Sequence, residues 1–267
     1  MTNLLTPGHT AVITGAALGI GRAAAHKFAK AGLNVCLVDL PSDDLTQTTK
    51  DVAAGAKGEI WAQPCDVSKP AEIAAMRKAI TDRIGPVHIL MNNAAARIGR
   101  GWDVPLEDWR LSLETNLWGV IEGTHAFLDH MADGGRIINT GSKQGITNPP
   151  GHPIYNIGKS AVKTYTEALE HELRQSGRLT AHLLVPGWTT TGHDAHRSGA
   201  WMPEHVVDFM VEKVDNGSFY IICPDDDTTP DMDRRRMLWG VGDIIEDRPP
   251  LSRWHAEHKD VAAKACS

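Results

Sequence analysis

The chain has 267 residues, 42% of them hydrophobic and 22% charged, with a formal net charge of −6. This composition excludes a disordered or fibrous polypeptide, and the acidic balance offers no clustered basic face for a nucleic-acid backbone. No stretch reaches the roughly 18 apolar residues of a membrane span, so neither nucleic acid nor membrane is expected as a partner. The four cysteines, Cys36, Cys65, Cys223 and Cys266, show no C-x-x-C spacing, and the expected setting is reducing and cytoplasmic. The basic run Arg234-Arg235-Arg236 is flanked by Asp231 and Asp233 and reads as a solvated or subunit-bridging surface.

Apolar runs of four to eight residues alternate with segments of helical period. A strand over 10–13 passes through a glycine turn into a helix over 20–31, followed by a strand over 34–39, a helix over 43–54, a strand over 59–65, a helix over 69–84 and a strand over 87–91. The second half predicts a long helix over 106–131, strand 136–140, helix 154–175, strand 180–185, helix 203–214 and a seventh strand over 219–223. A polar tail with a helical stretch around 230–238 closes the chain. Strands alternating with helices across short connections demand a parallel sheet covered on both faces, because each crossover is right-handed and lays a helix on one side. The predicted fold is therefore α/β, a single doubly wound Rossmann-type domain over residues 1–224 with a seven-stranded parallel sheet, plus a C-terminal extension over 225–267. Ligands in such a fold bind beyond the carboxyl ends of the strands where strand order reverses. Residues just after strands one, four, five and six are the ones to inspect.

After the first strand come Thr14, Gly15, Ala16, Ala17, Leu18, Gly19, Ile20 and Gly21. Glycines lack a Cβ, so the backbone can take positive φ and approach a diphosphate, while the next helix offers free N–H groups and the positive end of its dipole. The same glycines alone also fit a plain tight turn. Asp39 ends the second strand 18 residues after Gly21, where a carboxylate accepts hydrogen bonds from the adenosine ribose hydroxyls. A carboxylate there repels a 2′-phosphate, and no arginine lies between Asp39 and Lys50. NAD(H) is expected over NADP(H).

The helix over 154–175 carries Tyr155 and Lys159 four residues apart, on one face and one turn from each other. A nearby ammonium favours the phenolate, and a shift of about three units from the free value near 10 needs only ~4 kcal/mol. Alone, such a pair also fits a helix surface. Ser142 follows the fifth strand thirteen residues before Tyr155, and its hydroxyl is suited to hydrogen-bond the same substrate oxygen. The fourth strand ends in Asn92-Asn93-Ala94-Ala95, whose small residues leave room for a cofactor.

With Asp66-Val67, Asn116, and Pro186-Gly187 followed by Thr191, these motifs in this order resemble the short-chain dehydrogenase/reductase family, in its branch of roughly 250 residues, over residues 10–224. The resemblance implies an oxidoreductase that moves a hydride between a nicotinamide and a secondary alcohol or ketone, with Asn116, Ser142, Tyr155 and Lys159 as the catalytic set. It further implies that Lys159 holds the nicotinamide ribose, Asn116 orders a water-linked proton path, and Asp66 and Val67 flank the adenine. By the same resemblance Asn93 and Ala94 line the cofactor, and Pro186, Gly187, Thr189 and Thr191 hold the carboxamide. Two departures stand out: Ala95 where glycine is usual, and Gly158 where serine is common, the latter loosening the first helical turn or admitting a bulkier substrate. A non-catalytic NAD-sensing module is the alternative reading, although a sensor has no need of Ser142, Tyr155 and Lys159 together.

The resemblance also places a mobile substrate lid over 192–202, with Trp188, Trp201 and Met202 as walls for an apolar, cyclic or aromatic small molecule. His193 and His196 have the spacing of a metal pair but no further ligands in view, and no metal is expected. The segment 144–153 is expected to form the opposite pocket wall. The extension over 225–267 carries Trp239 and Trp254, which calls for a partner surface, either a neighbouring subunit or the mouth of the site. A homo-oligomer, dimer or tetramer, is expected.

Overall fold

The computed structural model describes residues 3–193 and 195–266; Asp194, in the segment read above as a lid, lies outside them. Seven strands, β1 (Thr10–Thr14), β2 (Asn34–Asp39), β3 (Ile60–Pro64), β4 (Val87–Asn92), β5 (Met131–Thr140), β6 (Thr180–Val185) and β7 (Tyr220–Ile222), make one parallel sheet in the order β3-β2-β1-β4-β5-β6-β7. The doubly wound α/β prediction holds. Strand residues alternate between two buried faces: Ala11 and Ile13 join one apolar cluster with Phe28, Val206 and Met210, while Val12 joins another with Ile73, Met76 and Phe127. Burying both faces explains why the strands read as unbroken apolar runs.

One cluster lies beneath α1 (Gly19–Ala31) and α8 (Pro203–Asp215), the other beneath α3 (Pro70–Ile84) and α5 (Gly119–Phe127). Local chemistry starts several helices as expected. The Ser42 side chain accepts from the Leu45 N–H at the head of α2 (Asp43–Ala54), and Pro153 occupies the first turn of α7 (Pro153–Ser176). Gly32, at φ +96°, closes α1.

The long helix predicted over 106–131 is corrected. It divides into α4 (Leu106–Leu113), a π-helical turn (Glu114–Trp118), α5 and a short 3-10 turn (Leu128–His130), after which Met131 already belongs to β5 and pairs with Val87. The π turn sits where the Asn116 amide leaves the helix surface for a tertiary partner, donating to the Ala96 carbonyl at 2.7 Å. Gly123 lets α5 settle on the sheet, since a Cβ there would lie 2.7 Å from Asn92 Oδ1. A four-residue helix, α6 (Gln144–Thr147), is too short for any periodicity to announce.

In the extension, α9 (Pro230–Ile245) is longer than predicted and α10 (Lys259–Cys266) follows it. Lys143, on the wall after β5, pairs with Asp233 of α9 at 2.6 Å and with Asp225 at 3.2 Å. Of the arginine run, Arg235 pairs with Asp231, and Arg236 donates to the Thr228 hydroxyl. Among the described residues, no helix is long and apolar enough to cross a membrane.

Candidate active site

Strand order reverses between β1 and β4, and a crevice opens beyond their carboxyl ends. It is held open by reciprocal hydrogen bonds: Thr14 Oγ1 accepts from the N–H groups of Asn93 and Ala94, and Asn93 Nδ2 donates to the carbonyls of Thr14 and Gly15. The resulting cleft has a volume of about 690 Å³, within the range of a cofactor site.

Most of the predicted residues meet there. Gly15, Leu18, Gly19, Ile20 and Asp39 line one end, Asp66, Val67, Asn93 and Ala94 the middle, and Ser142, Tyr155, Lys159, Pro186, Gly187, Thr189 and Thr191 the other. Thr14, Gly21 and Asn116 do not line it. Thr14 is the clamp just described. Gly21 lies beneath the turn, where a Cβ would meet the Gly15 carbonyl oxygen at 2.1 Å. Asn116 is fully buried, with Oδ1 accepting from the Ala96 N–H and Nδ2 donating to Ala96 and Ser112.

The turn fits a dinucleotide on its own geometry. Gly15 and Gly19 adopt φ +66° and +55°, and a Cβ on Gly15 would lie 2.8 Å from Ala94 Cα. Leu18 caps α1 without a side-chain hydrogen bond, and no acidic residue occupies the first turn. The leading N–H groups of α1 are thus left for an anion such as a pyrophosphate. At the far end the Asp39 carboxylate is fixed by the N–H groups of Ala17 and Leu40.

At the other end the Lys159 side chain is 2% exposed and donates to the Thr140 carbonyl at 2.8 Å. Burial depresses its ammonium, Tyr155 counters that, and Arg97 adds to it. Burial alone would raise the Tyr155 phenol, but Lys159, Arg97 and Ser142 outweigh it and hold the phenol below its ordinary value. A phenol so held gives up its proton more readily than a free one, which suits it to exchange that proton with a substrate oxygen.

Arg97 is the residue that reading the sequence missed. Its guanidinium carbon lies 5.3 Å from the centre of the Tyr155 ring, brought there by the loop after β4 that Asn116 secures at Ala96. No motif marks it; the only signal was its place three residues beyond Ala94.

A second cavity of about 700 Å³ opens from the cleft at Ser142 and Tyr155 and is walled by Ile98, Arg100, Lys143, Gln144, His152, Trp188 and Arg197. Segment 144–153 does supply one wall. Of the expected apolar walls, Trp188 lines this cavity. Trp201 instead packs against His205 and Phe209 and donates to Asp226. Gly158 faces Asn116 and Leu113 rather than either cavity, so it admits no bulkier substrate; it lets α7 approach the π turn. His193 turns to Asp44 and His196 to Thr190.

A family model described as short chain dehydrogenase matches residues 9–200. The chain belongs to the short-chain dehydrogenases/reductases. A D-beta-hydroxybutyrate dehydrogenase of Rhizobium meliloti is 34% identical over 186 residues, covering 68% of this chain and 72% of its own. A short chain dehydrogenase/reductase from Burkholderia phymatum, solved in complex with NAD, superposes with a TM-score of 0.82 at 30% identity over 94% of this chain and 98% of its own. A single-substitution variant of actinorhodin polyketide ketoreductase, solved with NADPH, gives 0.71 at 27% identity over 80% and 94%. As a member of this family the chain is an oxidoreductase acting on hydroxyl or keto groups.

Proposed function

We propose that this short-chain dehydrogenase/reductase interconverts a secondary alcohol and its ketone with NAD(H), and that Tyr155 is its acid/base. The observation that carries this reading is the depressed Tyr155 phenol beside a buried Lys159, where the dinucleotide cleft meets the second cavity. When bound, the nicotinamide supplies or accepts the hydride.

The chain's own residues do the rest. In oxidation the Tyr155 phenolate takes the proton of the substrate hydroxyl at Oη, and in reduction the phenol returns it to the carbonyl oxygen. Ser142 donates to that same oxygen from its place after β5 and fixes its position. Lys159, anchored to the Thr140 carbonyl, keeps the phenolate favoured and would hold the nicotinamide ribose. Asn116 acts by positioning, since its amide is taken up by Ser112 and Ala96 and secures the loop that carries Arg97. A buried ammonium beside a depressed phenol has no use in a nucleotide sensor.

Asp39 favours NAD(H): its carboxylate would repel a 2′-phosphate, and no cation lines the cleft around it among the described residues. Trp188 and Ile98 offer an apolar wall to a compact carbon skeleton. The exposed Leu106, Leu111 and Trp118 on α4 and the π turn support self-association. The Lys143 pairs support a role for residues 225–267 in bracing the substrate wall of the chain's own domain.

The test is Tyr155→Phe against a panel of cyclic, aromatic and aliphatic secondary alcohols with NAD⁺. The expected kcat falls by about 10²–10⁴-fold while the Kd for NADH, read by its fluorescence, stays the same. Substantial residual turnover would overturn the assignment.

A further inference from the structure

The cavity beside Tyr155 is more positive than an apolar substrate requires. Arg97 and Arg100 enter it from the loop after β4, and Arg197 enters from the loop between β6 and α8. Among the described residues, no carboxylate lines it and none of these three arginines is in an ion pair. Lys143 also reaches it, but Asp225 and Asp233 neutralise that charge. The chain as a whole carries a net charge of −6, so three arginines in one concavity with no carboxylate among the described residues lining it are not a by-product of composition.

All three guanidinium groups are exposed, so water screens their mutual repulsion, yet a concavity that gathers like charges still focuses their field and draws in an anion. His152, on the same wall, registers that field: burial, then Arg100 and Arg97, all depress its imidazole. Planar guanidinium forks match the geometry of carboxylate and phosphate oxygens. The site also lies at the opposite end of the dinucleotide cleft from Asp39, which separates it from any phosphate on the adenosine ribose.

We propose that the substrate of this enzyme carries a compact oxyanion, a carboxylate or a phosphate, which Arg97, Arg100 and Arg197 hold a few bonds from the carbon on which Tyr155 acts. The proposal rests on the oxidoreductase reading above and names its substrate class: a hydroxy or oxo compound with a small carbon body against Trp188 and Ile98 and a charged end among the arginines. It replaces the wholly apolar substrate expected from Trp188, Trp201 and Met202. Because Arg97 lies beside the Tyr155 ring, the anion also sits close to the reacting oxygen, so charged and reacting groups are near neighbours in the substrate.

The experiment titrates the NADH-loaded protein by calorimetry with malonate, with inorganic phosphate and with uncharged malonamide. It is repeated on the double variant Arg100→Gln/Arg197→Gln, which leaves Tyr155, Ser142, Lys159 and Arg97 in place. At least one anion is expected to bind with one-to-one stoichiometry and to weaken at least about tenfold in the variant, the loss of charge-assisted hydrogen bonds. Malonamide is expected to show no binding, and NADH affinity is expected to be equal in both proteins. Preference for malonate identifies a carboxylate, and preference for phosphate a phosphate ester. If neither anion binds, or both bind the variant as well as the parent, the anionic substrate is ruled out while the oxidoreductase reading stands. If NADH itself fails to bind the parent protein, the NAD(H) preference falls, and the same titration on the NADPH-loaded protein decides the anion site by the same outcomes.

Discussion

Replacing Arg97 by glutamine should make Tyr155 a base only at higher pH. The guanidinium carbon lies 5.3 Å from the phenol ring centre, and at an effective dielectric of about 20 two unit charges at that separation interact by ~3 kcal/mol. Arg97 is exposed, so solvent screening reduces this to about half, roughly one pKa unit. Arg97 favours the phenolate, and without it the phenol holds its proton to higher pH. The assay is the pH profile of kcat/KM for oxidation of an uncharged secondary alcohol, chosen so that loss of an anion site does not enter. In Arg97→Gln the apparent pKa should move about one unit alkaline, with a rate about tenfold lower at pH values below both pKa values and converging with the parent above them. A uniform loss at every pH, with the inflection unmoved, would refute the electrostatic reasoning and leave Arg97 a purely spatial role.

Other substitutions test the frame around the site. Lys143→Met strands Asp225 and Asp233, whose side chains are 5% and 8% exposed, and should cost about 3–5 kcal/mol in denaturant unfolding. Burial raises the Asp233 carboxyl, so that loss should shrink as pH falls and the carboxylate takes up a proton; an unchanged midpoint would show that the pairs contribute nothing net. Gly21→Ala puts a Cβ 2.1 Å from the Gly15 carbonyl oxygen and should destabilise the turn by about 1–3 kcal/mol, visible as a lower melting temperature together with weaker NADH binding. Asp39→Asn should move the kcat/KM ratio toward NADPH by about tenfold, the size of one removed repulsion of roughly 1.4 kcal/mol. A ratio that stays where it is would mean that Asp39 does not select the cofactor.

Much of the architecture was legible because its determinants are local. β2, α2 and β6 run over the residues expected of them, since each is an uninterrupted apolar or amphipathic run bounded by a cap or a glycine. The glycine turn was legible for the same reason, because positive φ at Gly15 and Gly19 is a property of the residue type. The break in the 106–131 helix was not. Its cause is the Asn116 side chain bonding to Ala96, twenty residues away in sequence, and Met131 pairing with Val87 across the sheet. Neither contact leaves a trace in local periodicity.

For the site, Tyr155, Lys159, Ser142 and the cofactor turn could be named from residue type and spacing. Each follows the carboxyl end of a strand or opens a helix, and a doubly wound sheet gathers those ends along one edge. What lies opposite Tyr155 was settled only by tertiary packing. Arg97, Arg100 and Arg197 come from two loops about a hundred residues apart, and the Lys143 pairs with Asp225 and Asp233 reach across about 80 to 90 residues. Such side chains carry no periodic signature, because loops take their course from the ends they join. The fold and its proton-transfer pair are thus written in short stretches of sequence, whereas the charge of the substrate cavity exists only once the loops after β4 and β6 face each other.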